Sequence, residues 1–238
     1  MSTDDIAADI AKEIAKQLPV KQAYDDVAAH AAAETGQFLG DLAKTIRLVL
    51  VPIQLAAAYQ DRVRAFIDRS IRAVPEERRI APPPQILGPV LEGVRYEIEG
   101  TPIDEMFAAL LSSSMDKARH ASAHPAFPGI IKTLSSDEAK LLKTLGDRPL
   151  EQISSSKLDR ARNLFEPGVI EELAIPDGLD FPENARLYFE HLNQLGLIEM
   201  NVTRSPEPIM SAGTQIGIRN FGEHQLSRWG RQFIQACT

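Results

Sequence analysis

Three consecutive prolines, Pro82-Pro83-Pro84, divide the first half of this chain. Each holds φ near about −65°, lacks an N–H, and pushes the residue before it out of the helical region. No helix interior passes through such a run, so the segments on either side must form separate elements. Similar punctuation continues downstream. Thr101-Pro102-Ile103-Asp104 supplies a capping hydroxyl, a proline for the first helical position and an acid for the positive end of the helix dipole. Pro125 and Pro128 interrupt the chain again. Ser135-Ser136-Asp137-Glu138 is a capping box, in which hydroxyl and carboxylate each satisfy the other residue's backbone N–H.

Between these marks, apolar residues recur at helical spacing. Leu87, Val90, Leu91 and Val94 give a face to a helix from Gln85 to about Tyr96. Met106, Phe107, Leu110 and Leu111 do the same after Thr101, and that helix should fray around His120 to His124. A short helix over Ala126 to Leu134 should bend at Pro128. Ala139, Leu141, Leu142 and Leu145 follow the capping box until Gly146 ends the helix. Upstream, Ile6, Ile10, Ile14 and Leu18 mark one helix. A second spans Lys21 to Leu50, with Gly36 and Gly40 on one face, and helix resumes beyond Pro52 to about Ala73. Aromatic residues are only 6% of the chain, so Leu, Ile, Val and Ala must fill the core, which suits closely packed helices.

The character changes after Gly146. Arg148 to Ser156 reads as a short strand, and Phe165 to Pro182, rich in proline and glycine, as loop. Glu183 to Leu195 reads as a helix with Ala185, Leu187, Tyr188 and Leu192 inward. Leu195–Val202 and Thr214–Arg219 read as strands around a polar turn, Thr203 to Gly213, and Leu226, Trp229, Phe233 and Ile234 as a final amphipathic helix. That order resembles a winged-helix module. The expected fold is therefore mainly α: a helical bundle over residues 1–133, then a small α+β winged-helix-like module over 134–238.

Little in the chain suggests catalysis. There is no GxGxxG and no GxxxxGK[ST], so no cofactor is expected. Ser112-Ser113-Ser114 and Ser154-Ser155-Ser156 lack a nucleophile elbow and read as polar helix surface and loop. Asp116, His120 and His124 are four apart, but the expected decay of helix near Ser122 separates them, so no metal site is expected. The single cysteine, Cys237, allows no disulfide within the chain and fits a reducing, cytoplasmic setting. The opening MSTDDIAADIAKEIAKQL places acids where a secretion signal needs a basic start.

Net charge is −7, which argues against binding nucleic acid or anionic lipid with the whole surface. Arg62, Arg64, Arg69, Arg72, Arg78 and Arg79 are interleaved with Asp61, Asp68, Glu76 and Glu77, the pattern of a solvated face. A DNA-reading wing would rely on Arg186 and Arg219. From Glu183 onward, however, five basic residues meet five acidic ones, which disfavours that use. The apolar stretch Leu48–Tyr59, broken by Pro52 and Gln54, falls short of the ~20 residues that span a bilayer. A membrane-perturbing role would act through it and the residues from Gly36.

Three blocks carry a family resemblance: LAKTIRLVLVPIQ, PPPQILGPVLEGVRYEIEGTPIDEMFAALLSSSMD and AHPAFPGIIKTLSSDEAKLLKTL. Through them, about Tyr24 to Leu145 resembles the bacterial abortive-infection alpha family. The resemblance implies defence against phage by arresting or killing the infected cell, and it implies no catalytic residue. Arg95, Asp116 and His124 are polar positions inside the blocks and are the candidates for partner contacts. The expected function is thus a non-enzymatic, cytoplasmic anti-phage protein acting through contacts with a host or phage protein, or with a second copy of itself. A DNA-binding winged-helix regulator and a membrane-perturbing effector are the alternatives. Nucleic acid is not the favoured partner, and membrane engagement is not expected in the resting state.

Overall fold

The triproline sets up the first helix to be understood in detail. Pro83 is extended, with φ −60° and ψ 136°, and Pro84 begins the helix where its missing N–H costs nothing. The structure, a computed structural model, describes residues 57–238, with side chains from Arg62 onward. The helices read over Ile6–Leu18 and Lys21–Leu50, the Gly36–Gly40 face and the apolar stretch up to residue 56 lie outside the described residues. The chain separates into two compact units. One ends at Thr133 and includes Ala236–Thr238; the other is Leu134–Gln235.

The first unit contains α1 (Ala57–Arg72), α2 (Pro84–Val94), α3 (Pro102–Ser114) and the short α4 (Phe127–Ile131). Thr101 caps α3, its hydroxyl accepting the Asp104 N–H at 3.3 Å. Leu87, Val90 and Val94 of α2, Phe107, Leu110 and Leu111 of α3, and Phe127 and Ile131 of α4 are all fully buried. Pro128 lies in the first turn of α4 and starts that helix rather than bending it. α3 ends at Ser114, earlier than its periodicity suggests, and His120–Ser122 form only a 3-10 turn. The serine run at that end is not surface: Ser112, Ser113 and Ser114 are buried. Their hydroxyls donate to the carbonyls of Ala108 (2.7 Å), Ala236 (2.8 Å) and Leu111 (2.7 Å). Serine is compatible with a core when its one donor finds a backbone acceptor.

At Gly93, α2 lies against the Phe107 ring of α3. A methyl there would sit 2.3 Å from Cζ of the buried Phe107. Helix propensity alone favours Gly93→Ala by about 1 kcal/mol. The clash reverses the sign, and the variant should be less stable by about 1–3 kcal/mol in urea unfolding.

The second unit corrects the expected fold class. Of the described chain 46% is helix and 26% strand, and the strands form a curled antiparallel half-barrel, so the protein is neither mainly α nor a winged helix. Its elements are α5 (Ser136–Asp147), β1 (Leu150–Asp159), β2 (Leu164–Phe165), β3 (Val169–Leu173), α6 (Ala185–Gln194), β4 (Ile198–Ser211), β5 (Thr214–Leu226) and all but the last two residues of α7 (Arg228–Cys237). Strand order is β2-β1-β5-β4, with β3 also pairing β1. β3 lies inside the segment Phe165 to Pro182 expected to be loop, and β2 ends at its first residue. β1 is a central strand, matched residue by residue to β5 from Leu150↔His224 to Lys157↔Gly217.

The hairpin is also far longer than a wing. β4 runs through the stretch expected to be a turn, prolines included. Pro206 and Pro208 are tolerated because β4 is an edge strand with register shifts around Arg204–Glu207. The turn itself is only Ala212-Gly213, with φ of 48° and 75°, the left-handed pair that a tight hairpin needs. Most of β4 is exposed, so its residues carry no period-2 apolar signal. α5 continues through Gly146 to Asp147 and its capping box is complete. The core of this unit gathers Leu141, Leu142, Leu145, Leu192, Leu197 and Phe233.

Candidate functional site

A buried polar cluster starts from the first turn of α5. Asp137 there is 2% exposed and accepts four hydrogen bonds. The Asp180 and Phe181 N–H groups reach its two oxygens at 2.8 Å each, the Tyr188 hydroxyl donates at 3.2 Å, and Lys140 Nζ lies at 3.4 Å. Burial opposes ionisation of this carboxyl. The two backbone N–H groups, Lys140 and Tyr188 outweigh that and hold its pKa below the ordinary aspartate value. Lys140 is raised above its usual range, chiefly by the Asp180 carboxylate 2.8 Å away. Together these bonds tie the loop before α6 to α5.

Glu138, the next residue, serves two masters. Oε2 closes the capping box on the Ser135 N–H at 2.7 Å, and Oε1 accepts from His191 Nδ1 at 2.6 Å. Its side chain is 5% exposed and that of His191 31%. The two residues, with Leu187, Tyr188, Glu190 and Gln194, line a recess of about 340 Å³ between α5 and α6. Leu187, expected to face inward, is 61% exposed at this recess, and Phe189 is buried in its place. His224 of β5 packs against Phe189 of α6, the rings tilted with centres 4.4 Å apart, and bonds Gln152 at 2.9 Å through Nε2. Burial holds its pKa below the usual histidine value.

The residues singled out in the sequence are placed elsewhere and have separate local roles. Arg95 follows α2, exposed, with its guanidinium 5.5 Å from the Tyr96 ring centre. Asp116 is buried beyond α3, ion-paired to Arg78 at 2.9 Å and accepting the Ala118 N–H at 2.8 Å. His124 accepts the Ala126 N–H through Nδ1 at 3.1 Å and its ring lies 5.7 Å from Phe127. His120 bonds the Lys117 carbonyl at 2.9 Å, so the Asp116–His120–His124 spacing builds no common face. Among the described residues, no group of three or more His, Cys, Asp or Glu is placed to hold a metal ion. Arg186 is paired with Glu190 at 3.4 Å, and Arg219 with Glu171 at 2.8 Å. His191 and its link to Glu138, 53 positions away, escaped the sequence reading altogether.

Cys237 is buried, and burial pushes its thiol up. A thiolate reagent should leave the native protein unlabelled and modify one thiol per chain only after denaturation; rapid native labelling would contradict this placement. Among the described residues no helix is long and apolar enough to cross a membrane.

The abortive infection alpha family model matches residues 55–237, most of the chain. The protein belongs to that family. The match differs in extent from the blocks read in the sequence: it starts later than Tyr24 and runs through the whole second unit. Neither a curated protein nor a solved structure matches the chain.

Proposed function

We propose that this abortive infection alpha protein defends bacteria against phage by binding another protein, without catalysing a reaction. Family membership supports the defensive role. The contact mechanism is carried by one observation: the second unit leaves large apolar side chains in water. Leu164, Phe165, Val169, Phe181, Met200 and Val202 are between 47% and 74% exposed. Each such side chain gains about 25 cal/mol per Å² when a partner covers it, and large apolar side chains left in water suit a contact surface. The titratable groups favour the same reading. Asp137 is saturated with donors and its pKa is depressed, which suits holding a loop and not accepting a proton from substrate.

The partner is a host or phage protein, or a second copy of the chain. Capture of the nuclease-treated protein from infected and uninfected cells tests this, with each enriched partner then purified and titrated directly. A defined partner whose affinity falls with Met200→Asp and Val202→Asp is the expected result. Recovery of nucleic acid alone, or substrate turnover by the isolated protein, would count against it.

A further inference from the structure

The capping-box glutamate of α5 leaves a histidine with an open side. Glu138 Oε1 takes the His191 Nδ1 at 2.6 Å. A neutral imidazole that gives its Nδ1 proton to a carboxylate presents Nε2 as an acceptor. Among the described residues, Nε2 has no partner. The recess of about 340 Å³ that His191 lines has carbon walls in Leu187 and Tyr188, and the Tyr188 hydroxyl is already committed to Asp137. Its charges are the carboxylates of Glu138 and Glu190, and neither lysine nor arginine lines it. Ser135 and Gln194 complete the lining with a hydroxyl and an amide that can donate or accept, so the recess carries net negative charge and an unfilled acceptor over an apolar floor. What complements it is a planar cation on a carbon stem: the guanidinium fork fits a carboxylate and a ring nitrogen together, and its flat face packs on carbon.

We propose that the α5–α6 recess receives an arginine side chain of the partner protein, a proposal that rests on the protein-contact reading above. Its guanidinium binds Glu190 and His191 Nε2, and its stem covers Leu187, which the fold otherwise leaves 61% exposed. The molecule already shows Glu190 engaging a guanidinium. Arg186, one turn earlier on α6, lies 3.4 Å from it, with both side chains more than half exposed. Such an exposed pair is weak and exchanges readily for a partner that also fills the recess.

The test uses the full chain, isotope-labelled, and two small probes: acetyl-arginine methylamide and its neutral counterpart, acetyl-citrulline methylamide. The arginine probe should shift the His191 ring and Gln194 side-chain signals saturably, and the citrulline probe should not. Glu190→Gln, an exposed rim change that leaves the fold intact, should weaken arginine binding by roughly tenfold. Arg186→Ala should tighten it, by removing the internal competitor. Equal response to citrulline, no response at His191, or unchanged affinity in both variants would overturn the proposal. Phage plating separates this from the broader reading. A chain that curtails plaques but ignores arginine loses only the recess; one that binds arginine but leaves plaques unaffected loses only the defensive role.

Discussion

Gly230→Ala unfolds the second unit at markedly lower urea than the natural chain. Gly230 lies in the first turn of α7, where a methyl group would sit 1.8 Å from the Leu197 carbonyl oxygen and 2.8 Å from its carbon. That carbonyl is held in place. It accepts the Ser227 N–H at 3.0 Å, and the Ser227 hydroxyl in turn accepts the Gly230 N–H at 2.9 Å. The obstacle is backbone at the entry to β4, so no rotamer change relieves it. Two effects oppose each other. Alanine is the better helix former by about 1 kcal/mol, whereas forcing atoms into a packed contact costs about 3 kcal/mol or more when backbone must move. The clash wins by that comparison, and the sign of the change decides the matter. A raised or unchanged urea midpoint would mean that α7 does not seat on Leu197.

Asp137→Ala is the second large effect. The substitution strands the Asp180 and Phe181 N–H groups and the Tyr188 hydroxyl, all of which now point at one buried carboxylate. The Tyr188 hydroxyl is a buried donor, and leaving such a donor without its acceptor costs about 1–3 kcal/mol; the two part-buried N–H groups add to that, so a loss of about 2 kcal/mol or more is expected, with the loop before α6 exchanging its amide hydrogens first. Acid probes the same group without mutation. The native carboxyl titrates below its unfolded value, so its contribution is present above about pH 4 and is lost as pH falls through the native pKa. His224 adds an earlier step. Burial depresses its native pKa, so the unfolded chain takes up the proton first and stability begins to decline below about pH 6.5. Urea midpoints measured either side of those two regions should show both steps. His224→Leu should flatten the upper step and Asp137→Asn the lower. A midpoint indifferent to pH across this range would contradict both placements.

These residues also show how far the chain can be read unaided. Pro84, the Thr101 cap and the Ser135–Glu138 box announce their helices because capping is local chemistry, settled within four residues. The strands announce themselves poorly. β4 is nearly all exposed, and β1 carries three serines and a glutamine, so neither alternates as a half-buried strand does. Pro206 and Pro208 argue for a turn until β4 is known to be an edge. The candidate site was the least legible part. Glu138 was visible as a cap, but its second partner is His191, and the Asp137 donors come from Asp180, Phe181 and Tyr188. Nothing at those positions signals a partner; only the packing of α6 against α5 brings them together. Leu187 misled for the converse reason: it follows the apolar period of α6 yet faces the recess.

We propose that the protein stops phage by contact and without catalysis. The most direct measurement is plating of a broad phage panel on cells carrying the natural gene, no gene, or the gene with Met200→Asp and Val202→Asp, with survival of infected cells followed alongside. The natural gene should give fewer plaques and early loss of infected cells, and the surface substitutions should relieve both at unchanged protein level. Equal plaquing on all three strains across the panel would contradict it.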